Sequence, residues 1–166
     1  MAVNTRLFMK DVSVKIIVPA SGAYSAAVEY NCDVNTVEVL SKPGSTVTYQ
    51  TLCPSGVLQQ IGASTYSVRL KGVQDWGTDG LSAFLWNNHG QTARLICNAH
   101  GAAAAYAPAT PGFDAQVVLI EGTYGGEAGK YAEYDVEMPC TVRPTLITTT
   151  PTALYSDEPG AEPVAA

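Results

Sequence analysis

Charged side chains are scarce in this 166-residue chain. They make up 14% of its residues, against about 25% in a typical soluble domain. Lys and Arg together number nine, against fifteen Asp and Glu, so the formal net charge is −6. A basic patch that grips nucleic-acid phosphates is therefore not expected. Because apolar residues reach 46%, we expect protein partners to cover part of the surface.

Long apolar runs and the marks of secretion are also missing. No stretch approaches the roughly 20 apolar residues of a membrane span, so no membrane partner is expected. The first residues, MAVNTRLFMKDVSV, lack the basic and apolar regions of a signal peptide. No two of the four cysteines form a C-x-x-C pair. We expect a protein made in the cytosol with free, mostly buried thiols, and one disulfide is the alternative.

Two loops begin like ligand-binding motifs and then depart from them. DWGTDG at 75–80 starts as a calcium loop does, but Gly77 stands at its third position and Trp86 at its twelfth, where ligands belong. GTYGGEAGK at 122–130 misses the phosphate-loop spacing because Tyr124 occupies the place of the first glycine. Both stretches are interpreted as turns.

Only two histidines are present. His89 and His100 form a conceivable metal trio with Cys97, but no fourth ligand follows at the usual spacing. No nucleophile motif is complete. We expect no enzyme activity, no cofactor and no metal site.

What the chain does contain is the alternation of apolar and polar residues that is typical of strands. It predicts seven or eight strands and a mainly β fold, a sandwich or barrel with one flanking helix. The predicted strands lie at 11–18, 28–41 (one or two), 65–73, 92–99, 114–122 and 130–139.

One stretch, DWGTDGLSAFLWNNHGQ, predicts a helix over about 79–89. Leu81, Phe84 and Leu85 recur at i, i+3 and i+4 and form one apolar stripe. Since so short a helix does not persist alone in water, we expect these three side chains to pack on the sheet.

The ends of this helix carry their own signals. Thr78 or Asp79 is expected to cap its first amides, and Gly90 to take the left-handed conformation after its end. Trp76 and Trp86 are expected to fill space in the core beneath it.

Residues 42–64 are rich in Gly, Pro, Ser and Thr and contain two turn signals. A protruding hairpin or a long ordered loop is predicted, with a role in contacts between subunits. The apolar side chains expected to be buried there are Leu52, Val57, Leu58 and Ile61.

The 130–138 strand has an acidic side. Alternation directs Glu133, Asp135 and Glu137 away from the core. One interpretation is a solvated sheet face; the other is a surface kept negative for a reason. Residues 152–166 are acidic and aperiodic, so we expect a β domain over 1–151 and a flexible tail after it.

Four stretches occur in order along the chain: TVTYQTLCPSG (46–56), LKGVQDWGTDGLSAFLWNNHG (70–90), EGTYGGEAGKYAEYDVEMPC (121–140) and RPTL (143–146). Through them the chain resembles the major tail protein, or tail tube subunit, of long-tailed actinobacterial phages. The resemblance covers most of residues 8–147.

The resemblance implies a β-sandwich with a flanking helix and a long loop, joined into hexameric rings that stack into a tube. It implies as partners copies of the chain itself, a tape-measure protein, a tail terminator, and baseplate or tail-tip proteins. The expected location is the virion, after assembly in the cytoplasm of the host bacterium. DNA would pass through without sequence-specific binding, and Glu133, Asp135 and Glu137 would face the lumen and repel it.

Two other functions stay open from the sequence. One is a different virion β-module, such as a tail terminator or a capsid decoration protein. The other is a non-catalytic carbohydrate-binding β-sandwich, which exposed aromatic side chains would support.

Overall fold

Strands form where apolar and polar side chains alternate, as predicted. The computed structural model describes residues 12–20, 23–24, 28–30, 33–50, 57–98, 106–108 and 110–149. Within them lies one helix, α1 (Leu81–Asn87). The strands are β1 (Ser13–Ile17), β2 (Pro19–Ala20), β3 (Ala23–Tyr24), β4 (Val28–Glu29), β5 (Val34–Lys42), β6 (Thr46–Gln50), β7 (Val57–Ile61), β8 (Thr65–Val73), β9 (Thr92–Asn98), β10 (Gly112–Val118), β11 (Glu133–Pro139) and β12 (Thr145–Ile147).

The strands are arranged in two main sheets. One has the order β12-β10-β9-β1-β4 and the other the order β11-β8-β5, and all neighbours are antiparallel. Two further pairs, β2–β3 and β6–β7, belong to neither. The prediction of a mainly β fold with one helix is confirmed, and no sheet among the described residues closes into a barrel.

One hydrophobic core lies between the two sheets. Ile16 and Leu95 enter it from the five-stranded sheet, and Leu70 and Met138 from the three-stranded sheet. All four are at most 1% exposed. Burial of a side chain of this size stabilises the fold by about 1.5–3 kcal/mol. The sheets therefore form a sandwich whose stability comes mainly from this layer.

Helix α1 packs on the same core through the predicted stripe. Leu81 and Leu85 are almost fully buried, and Phe84 is half-buried. The Phe84 ring lies 5.5 Å from that of Tyr30, between ring centroids. Burial raises the pKa of the Tyr30 hydroxyl to about 12. The prediction that the helix covers the sheet through these three side chains is confirmed.

The start of α1 differs from the prediction. Gly80 holds the N-cap position and offers no side-chain cap, so the expectation of a Thr78 or Asp79 cap is wrong. The Leu81 amide instead donates a hydrogen bond of 3.1 Å to Oδ2 of Asp33, which lies 48 residues earlier. At the other end Gly90 has φ +79°, as predicted. Tertiary structure thus supplies a cap that local sequence does not contain.

Two thiols are described, and both are free. Cys97 is buried, and burial raises its pKa to about 12. Burial also raises the pKa of the half-buried Cys140. A raised pKa keeps a thiol protonated and unreactive at neutral pH. Cys32 and Cys53 lie outside the described residues.

The predicted tail, residues 152–166, also lies outside the described residues. Within the ranges that are described, no helix combines the length and apolar character needed to cross a membrane.

Removal of the long-range cap should destabilise the fold. Asp33→Ala leaves the Leu81 amide without its acceptor, so we expect the free energy of unfolding to fall by about 1 kcal/mol. Urea denaturation followed by circular dichroism measures this loss. Asp79→Ala is the matched control and should change little. Equal losses from both variants would contradict the assignment of the cap to Asp33.

Candidate functional site

The predicted acidic side chains lie together on the outer side of β11. Burial alternates strictly along this strand, with Glu133, Asp135 and Glu137 exposed and the residues between them in the core. The predicted division of the strand into an inner and an outer side is confirmed. The surface they share with the outer sides of β8 and β5 is called here the charged face.

Basic side chains of β8 and β5 contact these carboxylates. The Arg69 guanidinium donates to both oxygens of Asp135, at 2.7 Å from Nε and 2.5 Å from Nη2. Lys71 Nζ lies 3.4 Å from Oδ2 of Asp135, and Lys42 Nζ lies 2.9 Å from Oε1 of Glu137. The charged face therefore has mixed charge, and the interpretation of a uniformly negative surface is not supported.

The same contacts shift the pKa values of the groups involved. The hydrogen bond from Arg69 lowers the pKa of Asp135, and that contact raises the pKa of Arg69. The pKa of Glu137 is lowered first by the hydrogen bond from the Ser67 hydroxyl and then by Lys42. Both carboxylates consequently remain ionised to lower pH than free Asp and Glu side chains do.

Residues 42–64 contain the predicted hairpin. Strands β6 and β7 pair from Thr46 with Ile61 to Gln50 with Val57. Three of their large apolar side chains are exposed to solvent: Val47 at 47%, Tyr49 at 65% and Ile61 at 68%. A two-stranded hairpin is marginally stable by itself in water, so these side chains, Val47 and Tyr49 on one face and Ile61 on the other, mark surfaces suited to burial by a partner.

The residues predicted for the subunit contact are only partly described. Ile61 lies on the exposed hairpin, as stated. Leu52 lies outside the described residues, and for Val57 and Leu58 the structure describes the backbone in β7 alone.

The base of the hairpin is tightly packed. The Gly62 amide donates a 3.0 Å hydrogen bond to the Ser45 carbonyl. A Cβ atom added at Gly44 would lie only 2.4 Å from the Gly62 carbonyl carbon. The two backbone segments at the base of the hairpin thus approach each other so closely that only glycine fits there. This close contact fixes where the hairpin leaves the sandwich.

An exposed aromatic cluster was not anticipated. Trp76, Trp86 and Tyr124 are 41%, 54% and 74% exposed, so the expectation that the tryptophans fill the core is wrong. The Trp76 ring meets Trp86 at 6.0 Å and Tyr124 at 5.1 Å, both edge to face. Such rings do not form one flat platform for a sugar ring to stack on. These three residues are called here the aromatic cluster.

Hydrogen bonds from Gln74 hold this cluster in place. Its Oε1 accepts from the Trp76 indole at 3.1 Å and from the Gly125 amide at 3.1 Å. Its Nε2 donates to the carbonyl oxygens of Gly125 and Glu133, at 2.9 and 2.8 Å. The loop that carries Tyr124 is thereby tied to the ends of β8 and β11, and the aromatic surface is preformed.

Beside the cluster lies an open cavity of about 470 Å³ with acidic walls. Its lining includes Glu29, Asp33, Asp75 and Asp79. Asp75 accepts a hydrogen bond of 2.8 Å from the Gly77 amide, as expected of a turn. No set of three metal-binding side chains converges in the described parts of the chain.

The histidine considered as a metal ligand has another partner. His89 Nδ1 contacts Oε2 of Glu121. His100 lies outside the described residues.

The charge pairs of this face should make stability depend on pH. The folded-state pKa of Asp135 lies below its unfolded value of about 3.9, so its contribution is present above that pH and is lost as pH falls through the folded-state pKa. Asp135→Asn should therefore be less stable than wild type at pH 7 and nearly equal to it at pH 2. Urea denaturation at both pH values measures the difference.

Glu133→Gln provides the control, because the described residues offer Glu133 no ion-pair partner. It should alter stability less than Asp135→Asn at pH 7. A deficit of Asp135→Asn that stays constant from pH 7 to pH 2 would argue against the ionic origin.

Neither the models of known protein families nor the sequences of curated proteins match this chain.

Proposed function

We propose that this chain is the major tail protein of a long-tailed phage, the subunit whose stacked hexameric rings form a hollow tube for DNA delivery. The proposal rests on the resemblance of four stretches of sequence to that family. One structural observation carries it further: a hairpin that joins neither sheet exposes large apolar side chains on a tightly fixed base. A partner must cover such a surface, and in a tube that partner is another copy.

Strand edges that no described strand covers support lateral association. Strands β5 and β11 end the three-stranded sheet, and β5 is nine residues long. Unpaired backbone amides and carbonyls at such an edge are a template for pairing with another chain. A closed ring pairs these edges between neighbouring subunits, so that the sheets of six copies merge into one wall.

The size of the wall depends on how many strands each copy contributes. Three strands from each of six copies, about 4.8 Å apart and tilted about 40°, give a circumference of about 110 Å. After side chains, the channel would be about 20–25 Å wide, enough for a duplex about 20 Å across. A fourth strand per subunit would raise the circumference to about 150 Å and widen the channel to roughly 35–40 Å.

The charged face is suited to line such a channel. It is polar and exposed to solvent, as the wall of a channel for DNA must be. Its basic side chains Lys42 and Arg69 are held by carboxylates. Cations that are already paired with carboxylates neutralise fewer phosphates and so displace fewer counterions from a passing DNA, which weakens its binding. By neutralising the cations of the wall, the acids would keep the wall from binding DNA.

The other partners follow from the same proposal. A tube of this family encloses a tape-measure protein and ends at a tail terminator on one side and at baseplate or tail-tip proteins on the other. Assembly would take place in the host bacterial cytoplasm, and the mature location would be the virion.

Electron microscopy of the concentrated pure protein tests the proposal. We expect hollow tubes of uniform diameter whose length grows with concentration. Single rings that do not stack would favour the tail-terminator alternative. A protein that stays monomeric at millimolar concentration would refute the proposal.

Ile61→Asp is the matching variant. Ile61 is the most exposed apolar side chain described in the hairpin, so a charge there should block assembly without disturbing the core. Its circular dichroism should equal that of wild type. Glu38→Gln on the charged face is the control for a harmless surface change and should leave the tubes intact. Normal tubes from Ile61→Asp would remove the hairpin from the contact.

A further inference from the structure

We propose that the aromatic cluster is the docking surface for the hairpin of a second copy, so that copies stack head to tail. This inference rests on the proposed function and specifies which surface receives the hairpin. Three independent observations carry it: the exposure of the cluster, its position in the fold, and the charge around it.

The aromatic cluster has the composition of an interface centre. Tryptophan and tyrosine are the residues most enriched among side chains that dominate binding energy. Here three such rings contact each other while each remains at least 41% exposed. Gln74 fixes two of them through its amide, so little side-chain freedom would be lost on binding. A preformed aromatic surface of this kind is suited to bury apolar side chains.

The cluster and the hairpin lie at opposite ends of the sandwich. Strand β8 runs from Thr65, next to the hairpin, to Val73, next to Gln74 and Trp76. Its nine residues span about 26 Å at roughly 3.3 Å per residue. Strand β5 ends at Lys42, paired with Thr65, and continues into the hairpin. The two surfaces therefore point away from each other, and a single subunit cannot satisfy one with the other.

The hairpin end also has an exposed cation, Arg143. The Cys140 amide donates a 2.9 Å hydrogen bond to the Tyr66 carbonyl, which places the turn after β11 at this end. Within that turn Val142 is 54% exposed, and Arg143 is exposed with no carboxylate partner among the described residues. The hairpin end thus presents Tyr49 and other apolar side chains beside the exposed guanidinium of Arg143.

The aromatic end has the opposite charge. The cavity beside the cluster is lined by three aspartates, Asp33, Asp75 and Asp79, and by no basic residue. An arginine is attracted both to carboxylates and to the faces of Trp and Tyr rings. Apolar side chains would meet aromatic rings, and Arg143 would meet the acids. The two ends of one chain are therefore complementary in the types of side chain they expose and in charge. This complementarity identifies a second copy as the occupant.

A contact between two different surfaces of the same chain propagates. Each subunit that docks its hairpin end leaves its own aromatic end open for the next copy, so the assembly grows along one axis. The lateral edges close the ring, and this contact stacks the rings. Rings would then all face the same way along the tube.

The experiment combines two variants that each lack one surface. Trp86→Asp places a charge in the aromatic cluster, and Ile61→Asp places one on the hairpin. Each variant alone should raise the critical concentration for tube growth at least about tenfold, as expected for loss of a central interface residue. Tyr131→Asp is the matched control, because this exposed tyrosine lies outside the cluster and should leave growth unchanged.

Mixing the two variants gives the decisive result. The intact aromatic end of Ile61→Asp can still receive the intact hairpin of Trp86→Asp. Equal amounts should therefore form assemblies two layers deep that do not lengthen, visible by microscopy and by sedimentation velocity. Tyr124→Ser replaces Trp86→Asp if circular dichroism shows that the latter is unfolded.

The outcomes separate the two proposals. If wild type forms tubes and both aromatic variants form them equally well, the docking surface lies elsewhere and the proposed function stands. If each variant is blocked but the mixture forms no two-layer assemblies, head-to-tail pairing of these surfaces is overturned. If wild type itself does not assemble, the proposed function fails, and this inference fails with it.

Discussion

The molecule depends on one layer of apolar side chains enclosed between two antiparallel sheets. Because strand residues alternate, each side chain that enters this layer directs its neighbours outward, and so the buried face of β11 defines the charged face behind it. The same layer holds α1 through Leu81 and Leu85. It does not extend to the β6–β7 hairpin, which pairs only with itself among the described sheets. The core thus leaves the apolar side chains of this hairpin in water, and this exposure is the structural basis of the self-association that we propose.

The charged face is less negative than the composition of the chain suggests, because basic side chains contact its acidic side chains. Two acidic side chains of β11, Asp135 and Glu137, form ion pairs with Arg69, Lys71 and Lys42. Exposed pairs of this kind stabilise a fold only slightly, about 0–1 kcal/mol. Their larger effect is on what the surface can bind, because a cation held by a carboxylate is less available to phosphate. Arg143 at one end of the sandwich and the aspartates of the cavity at the other would, in our proposal, direct one copy toward the next.

Much of the fold follows from local sequence, and the rest depends on contacts between distant segments. Alternation correctly predicts β8 and β11, and the i, i+3, i+4 pattern correctly predicts which side of α1 is buried. The Asp33 cap could not be predicted, since it requires the path of a chain segment 48 residues away. Trp76 and Trp86 were expected in the core because their side chains are hydrophobic, yet both are exposed. Their position outside the apolar stripe of the helix was a usable signal of this exposure. Arg69 and Asp135 meet only because β8 and β11 pair, a register that neither strand encodes alone.

Hydrogen exchange at the backbone amides of β6 and β7 tests the central claim most directly, namely that another copy of the chain completes the hairpin. In dilute, unassembled protein these amides should exchange rapidly while those of β8 and β9 are protected, because an uncovered two-stranded hairpin opens easily. In concentrated protein the hairpin amides should become protected while those of β8 and β9 change little. Equal protection of the hairpin at both concentrations would contradict the account, since the hairpin would then be stable without a second copy.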